Sequence, residues 1–188
     1  VGVGFRAGYY TTGSYNTFVG SLAGQGGTSS APYSSGTNNV AVGYNALGGF
    51  TTGGDNIAIG YQAGDAITTA AANIAIGSLA AGALTTGGDN IVIGYAALQS
   101  ADGAEDNNIV IGTGAGQNIN NDASDDNVFI GTYAGRGGTG ELDRCVAIGY
   151  QAMDGTGTVS AQQNIFIGDN AGGGSWTTAA SNSNVAIG

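Results

Sequence analysis

The sequence predicts an all-β chain, a parallel β-solenoid of about ten turns of 16–23 residues each. Three observations carry this. A pentad of the form Asn–apolar–x–apolar–Gly returns along the whole chain. Its core strings (NIAIG, NIVIG, NVFIG) are β-branched and favour strand. Glycine accounts for 38 of 188 residues with one proline, which fits regular punctuation and lacks the every-third-residue period of collagen.

The period is read before any single residue. The pentads end at Gly20, Gly43, Gly60, Gly77, Gly94, Gly112, Gly131, Gly149, Gly168 and Gly188, and Val1–Gly4 is a truncated copy. Alanine stands three residues after the first ten of these glycines, from Ala7 and Ala23 to Ala152 and Ala171. Asparagine stands four residues before the last ten, from Asn16 to Asn184, with Cys145 as the one substitute. A strand that returns at this spacing in constant register stacks in parallel on its predecessor, about 4.8 Å away, giving a rod of about 48 Å.

Each position in the register has a physical reading. Side chains alternate along a strand, and the flanking pair of each pentad, such as Ile57 and Ile59, is assigned to the interior. Glycine then lets the chain bend, and alanine three residues later marks a narrow corner. The asparagines are expected to form a ladder, each amide bonding to neighbouring turns or to its own turn's backbone. Cys145 is a small buried thiol in that row, without reactive function.

On this assignment the middle residue of each pentad faces outward: Phe18, Ala41, Ala58, Ala75, Val92, Val110, Phe129, Ala147, Phe166 and Ala186. Strands apolar on both faces are normally buried on both, and a stripe of this length exceeds what monomers usually expose. The expectation is a homotrimer, intertwined or side by side, joined through the stripe of Phe18, Val92, Val110, Phe129 and Phe166. The chain opens inside one copy of the motif and closes on the glycine of another. Residues 1–188 are therefore read as one repeat array, a stretch of a longer fibre.

The strings NNVAVGYNAL, NIAIGYQAG, NIVIGYAAL and VAIGYQAM resemble the head repeats of trimeric autotransporter adhesins and the related repeats of bacteriophage tail fibres. The resemblance covers the whole chain. It implies a left-handed parallel β-roll trimer that forms or displays an adhesive surface, outside a cell or on a virion. The turns here are longer than the compact adhesin repeat, and tyrosine recurs after the glycine at Tyr44, Tyr61, Tyr95 and Tyr150. No neck, coiled-coil stalk or anchor segment is visible. The function expected is that of a structural or adhesive segment of a trimeric extracellular fibre, presenting or spacing a receptor-binding surface. A cell-surface carbohydrate or protein would be the receptor. The alternatives are a self-assembling filament subunit and a fibre with carbohydrate-cleaving activity.

Thirteen acidic residues against Arg6, Arg136 and Arg144 give a net charge of −10, which opposes nucleic acid and anionic lipid as partners. The uncharged run 66–84 is long enough for a membrane helix but keeps the strand register, so no insertion is expected. Nothing at the start reads as a signal peptide. Gly2–Ala7 matches a loose dinucleotide fingerprint, which needs a following helix and an acidic residue some twenty positions on; the first acidic residue here is Asp55. No histidine or lysine is present to activate a nucleophile.

Eight of the acidic residues (Asp102, Glu105, Asp106, Asp122, Asp125, Asp126, Glu141 and Asp143) fall within 102–143. Two carboxylates suffice for glycoside hydrolysis, yet these read as solvated loop residues. Asn120–Asn127 is the best candidate for calcium but lacks EF-hand spacing. Thr51–Thr52, Thr68–Thr69 and Thr85–Thr86 fall in register and read as loop packing rather than an ice-binding face. The tyrosine row reads as structural stacking, with a carbohydrate platform as the alternative. The longest loop, Gln25–Thr37, is where a receptor contact would be placed. No catalytic residue, cofactor or metal ligand is assigned.

Overall fold

A computed structural model describes residues 1–101, 103–174 and 182–188. Among them there is no helix, and thirteen short strands follow one another: β1 (Gly2–Val3), β2 (Thr17–Val19), β3 (Val40–Val42), β4 (Ile57–Ile59), β5 (Ile74–Ile76), β6 (Ile91–Ile93), β7 (Ile109–Ile111), β8 (Val128–Ile130), β9 (Leu142–Asp143), β10 (Val146–Ile148), β11 (Ala161–Gln162), β12 (Ile165–Ile167) and β13 (Val185–Ile187). Eleven of these form one sheet in chain order, and β9 and β11 form a second, two-stranded sheet. Every pairing is parallel and in register, as in Ile57↔Ile74 and Ala58↔Ala75. The chain is a β-solenoid of about ten turns.

The turns are held by hydrogen bonds that run along the rod. The first strand residue of each pentad donates to the asparagine carbonyl of the next turn (Ile57 N–H to Asn73 O, 2.8 Å), and the pentad glycine donates backward (Gly60 N–H to Val42 O, 2.8 Å). Corner residues follow the same rule, with Gly64 N–H reaching Ala80 O at 2.9 Å. The backbone of a solenoid is thereby satisfied without a helix or a hairpin. The run 66–84, long enough for a membrane helix, is built into this scheme with β5 at its centre. Among the described residues no helix is long and apolar enough to cross a membrane.

The pentad glycine is fixed by geometry. At Gly60 φ is +138°, a region that L side chains rarely adopt, and a Cβ would lie 2.6 Å from the Gly77 carbonyl oxygen of the next turn. The same conflict recurs at Gly43, Gly77, Gly94, Gly112, Gly131 and Gly149. Glycine serves here because adjacent turns approach too closely for a methyl group.

The structure corrects the assignment of the two strand faces. Phe18, Val92, Val110, Phe129 and Phe166, expected to form an outward stripe, point into the solenoid and are buried with the alanines of the same column. The flanking valines and isoleucines are the outward set, half-buried or exposed in every strand. The physical reason lies in the width of the interior. Five consecutive turns supply further buried side chains from beyond the pentad, Phe50, Ile67, Leu84, Ala101 and Ile119, each seven residues past its glycine. One inward side chain per strand, opposed by this column and by the corner alanines, fills the available space.

Packing across that interior is size-compensated within each turn. Where the middle residue is Phe, the residue six positions on is glycine: Phe18 with Gly24, Phe129 with Gly135, Phe166 with Gly172. A Cβ at those glycines would lie 2.3, 2.4 and 2.3 Å from the ring. Where the middle residue is Ala41 or Ala147, the same corner carries Leu47 or Met153, both fully buried. The turns centred on Ala41, Ala58 and Ala75 also bring in Phe50, Ile67 and Leu84. Native packing density demands such compensation, since an unfilled methylene-sized gap is felt in stability.

The asparagine column forms the expected ladder, with Asn39, Asn56, Asn73, Asn90, Asn108 and Asn127 all buried. The backbone N–H of Asn90 donates to Asn73 Oδ1 at 3.0 Å. Its Nδ2 donates to the same oxygen at 3.0 Å, to Gly88 O at 3.0 Å and to Glu105 O at 2.7 Å. Asn108 repeats the pattern onto Asn90. In Cys145 the sulfur takes the ladder position. Its Sγ–H lies 3.2 Å from Ala161 O, its N–H donates to Asn127 Oδ1 at 2.9 Å, and burial pushes the thiol pKa up.

Candidate functional surface

With the interior filled by core and ladder, the features left for function lie on the outer surface. The first is the face formed by the two flanking residues of each pentad. Because the strands pair in strict register, these residues make two continuous rows, one from Val40 through Ile57, Ile74, Ile91 and Ile109 to Val128, the other from Val42 through Ile59, Ile76, Ile93 and Ile111 to Ile130. Val19, Ile59, Ile130 and Ile165 are more than a third exposed, and the central members are half-buried. Ten strands about 4.8 Å apart, carrying two rows, present an apolar strip on the order of 500 Å².

The tyrosine row lies beside this face. Tyr44, Tyr61, Tyr95 and Tyr150 are all about half exposed. Tyr44 and Tyr61, on adjacent turns, stack with ring centroids 5.5 Å apart and planes 14° off parallel. Ser78 interrupts the row before Tyr95, and Thr113 and Thr132 interrupt it before Tyr150. The stack is a local one and does not run along the rod.

The acidic stretch is organised by the same register. Asp106, Asp125 and Asp143 occupy one column, two residues before the ladder position. Asp106 Oδ1 accepts the N–H of Gly88, and Asp125 Oδ1 accepts that of Asp106 at 2.7 Å. Desolvation, together with Asp106, Asp126 and Asp143 nearby, raises the Asp125 pKa above the ordinary carboxylate range. Asp143 is paired with Arg144. Within 120–127, Asn121 Oδ1 closes on the N–H of Ala123 at 3.1 Å and Asp122 reaches back to Ala104 N–H at 3.4 Å. Among the described residues, no three acidic, cysteine or histidine side chains gather as a metal site. Glu105 sits inside the wall, fully buried, with the N–H of Gly103 donating to its Oε2 at 3.2 Å. Asp102 lies outside the described residues.

The remaining sequence candidates resolve into structure. Thr51 and Thr68 donate their hydroxyls to the carbonyls of Thr68 and Thr85, both at 3.1 Å, so the first threonine of these pairs bonds between turns while Thr52, Thr69 and Thr86 are exposed. Gly2–Ala7 is a strand followed by turns, without the helix a dinucleotide site requires. The loop 25–37 leaves the solenoid and rejoins it at Ser34, whose N–H bonds Tyr10 O at 2.9 Å and whose hydroxyl donates to Phe50 O at 2.7 Å. A cavity of about 200 Å³ lined by Val1, Ala7, Thr11, Asn16 and Phe18 lies at the first turn.

Together these features define a repeat rod with a filled interior, an apolar outer face and polar ladders beside it. Comparison with protein-family models, curated proteins and solved structures gives no match to this chain.

Proposed function

We propose that the chain is a segment of a trimeric extracellular fibre, on a cell surface or a virion, that holds and spaces a receptor-binding surface. The observation that carries the reading is the double row of outward valines and isoleucines, unbroken from β3 to β13 along the eleven-stranded sheet. An apolar strip of this length on a rod is at the upper end of what monomers expose and marks an association surface. The rows are continuous and in register, which suits identical copies lying parallel around a common axis. The number three comes from the resemblance of the repeat strings to adhesin heads and tail fibres. The role is mechanical and adhesive rather than catalytic.

Native mass spectrometry with sedimentation equilibrium at micromolar concentration tests the assembly. Three chains are expected. A stable monomer that keeps its β signature would overturn the association on which the reading rests.

A further inference from the structure

Arg6 sets the first turns apart from the rest of the rod. Arg136 forms a two-point pair with Asp154 (3.0 and 3.1 Å), and Arg144 pairs with Asp143. Arg6 has no carboxylate partner among the described residues, and the sequence holds no acidic residue before Asp55. Asp65, the first acidic residue in the corresponding part of a turn, lies three turns further along, about 14 Å at the parallel-strand spacing. That exceeds the screening length of about 8 Å at physiological salt. Within residues 1–54 Arg6 is the one charged side chain, against a net charge of −10 for the whole sequence.

Aromatic rings surround this cation. The Arg6 guanidinium carbon is 5.3 Å from the Phe5 ring centroid and 5.6 Å from that of Tyr9. Both rings are exposed, by 67% and 62%. Tyr9 meets Tyr10 edge-on at 4.8 Å, and Tyr10 lies 6.3 Å from Tyr33 with planes 19° apart. Tyr33 belongs to the longest loop, so residues from two turns form one shelf, with Tyr9, Tyr10 and Tyr33 in line and the guanidinium over the Phe5 and Tyr9 rings at its end.

We propose that this shelf binds a carboxylated saccharide. The C–H face of a sugar ring packs on an exposed aromatic face, and the tyrosine hydroxyls supply hydrogen bonds at its rim. The planar guanidinium matches a carboxylate with two parallel N–H···O bonds. Charge selects this occupant: the ligand's anion meets the one unpaired arginine, while a long polyphosphate would run on into the acidic turns. The site deepens the receptor-binding part of the proposed function, but its chemistry does not depend on the number of chains.

Isothermal titration calorimetry of the full chain with tetragalacturonate, sialyllactose, neutral galactotetraose and a pyrimidine octanucleotide tests it. Arg6→Gln and Tyr9→Gln are suitable variants, because glutamine already occupies the equivalent corners at Gln62 and Gln151 and at Gln99 and Gln117. At least one carboxylated sugar should bind, tenfold or more weakly in either variant and more weakly as salt rises, with the thermal midpoint unchanged. Absence of binding by both carboxylated sugars, equal binding of the neutral sugar, tighter binding of the oligonucleotide, or indifference to Arg6 would each overturn the site. A chain that is trimeric by mass yet binds neither carboxylated sugar removes the shelf alone. A monomer that binds removes the assembly alone.

Discussion

Asn90 shows how much a single repeated residue can hold. Its side chain donates to Asn73 Oδ1, Gly88 O and Glu105 O, and its oxygen accepts the N–H and the amide of Asn108. Asn90→Ala leaves several buried groups without partners, each costing about 1–3 kcal/mol, so the urea midpoint should fall steeply. Cys145→Asn should raise that midpoint, through a gain of about 1 kcal/mol in unfolding free energy, because a carboxamide replaces the thiol in a column built for amides. Asp125 gives a residue-scale prediction of the opposite kind. Its folded pKa is raised by desolvation and neighbouring carboxylates, so the folded chain holds a proton that the unfolded chain releases. The penalty is absent at pH below the ordinary carboxylate range and is fully present once pH has risen through the raised folded value. Asp125→Asn keeps the acceptor for Asp106 N–H and should raise the thermal midpoint slightly at pH 7. That gain should vanish on acidification below the carboxylate range, as read by pH-dependent thermal melts.

At the scale of one turn, the decisive relation is between a strand and its own corner. Phe129 and Gly135 fill one space, as Ala41 and Leu47 do elsewhere. Phe129→Ala should cost about 3–5 kcal/mol by opening a cavity. Gly135→Leu alone should also destabilise, since its Cβ would meet the Phe129 ring at 2.4 Å. The double variant should recover a large part of both losses, because Leu47 and Leu98 already hold this corner at φ 51° and 48°. A double-mutant cycle in urea checks the coupling, and simple additivity would contradict compensation within the turn. This relation can be read in the sequence as an exchange of sizes six residues apart. It becomes visible only when the middle residue is known to face inward.

For the whole molecule, the two faces of one strand make opposite predictions. Val92 is fully buried and Ile93 faces outward. Val92→Lys should unfold the central turns, read by circular dichroism. Ile93→Lys should leave the β signal intact and lower the native mass from three chains towards one. Loss of fold with Ile93→Lys and tolerance of Val92→Lys would reverse the facing. The sequence by itself determined the period, the parallel register, the Asn ladder and the corner alanines. The reason is covalent: equal spacing along the chain puts equal residues on top of one another. It could not determine which alternate set faces in, because both are apolar and alternation distinguishes two faces without naming either. Tertiary structure decided that, through the width of the interior. Phe50, Ile67, Leu84 and Ile119 arrive from beyond the pentad and leave room for one inward side chain per strand, so the two flanking residues face outward. The shelf around Arg6 was hidden for the same reason, since Tyr33 reaches Tyr10 only after the long loop has folded back at Ser34.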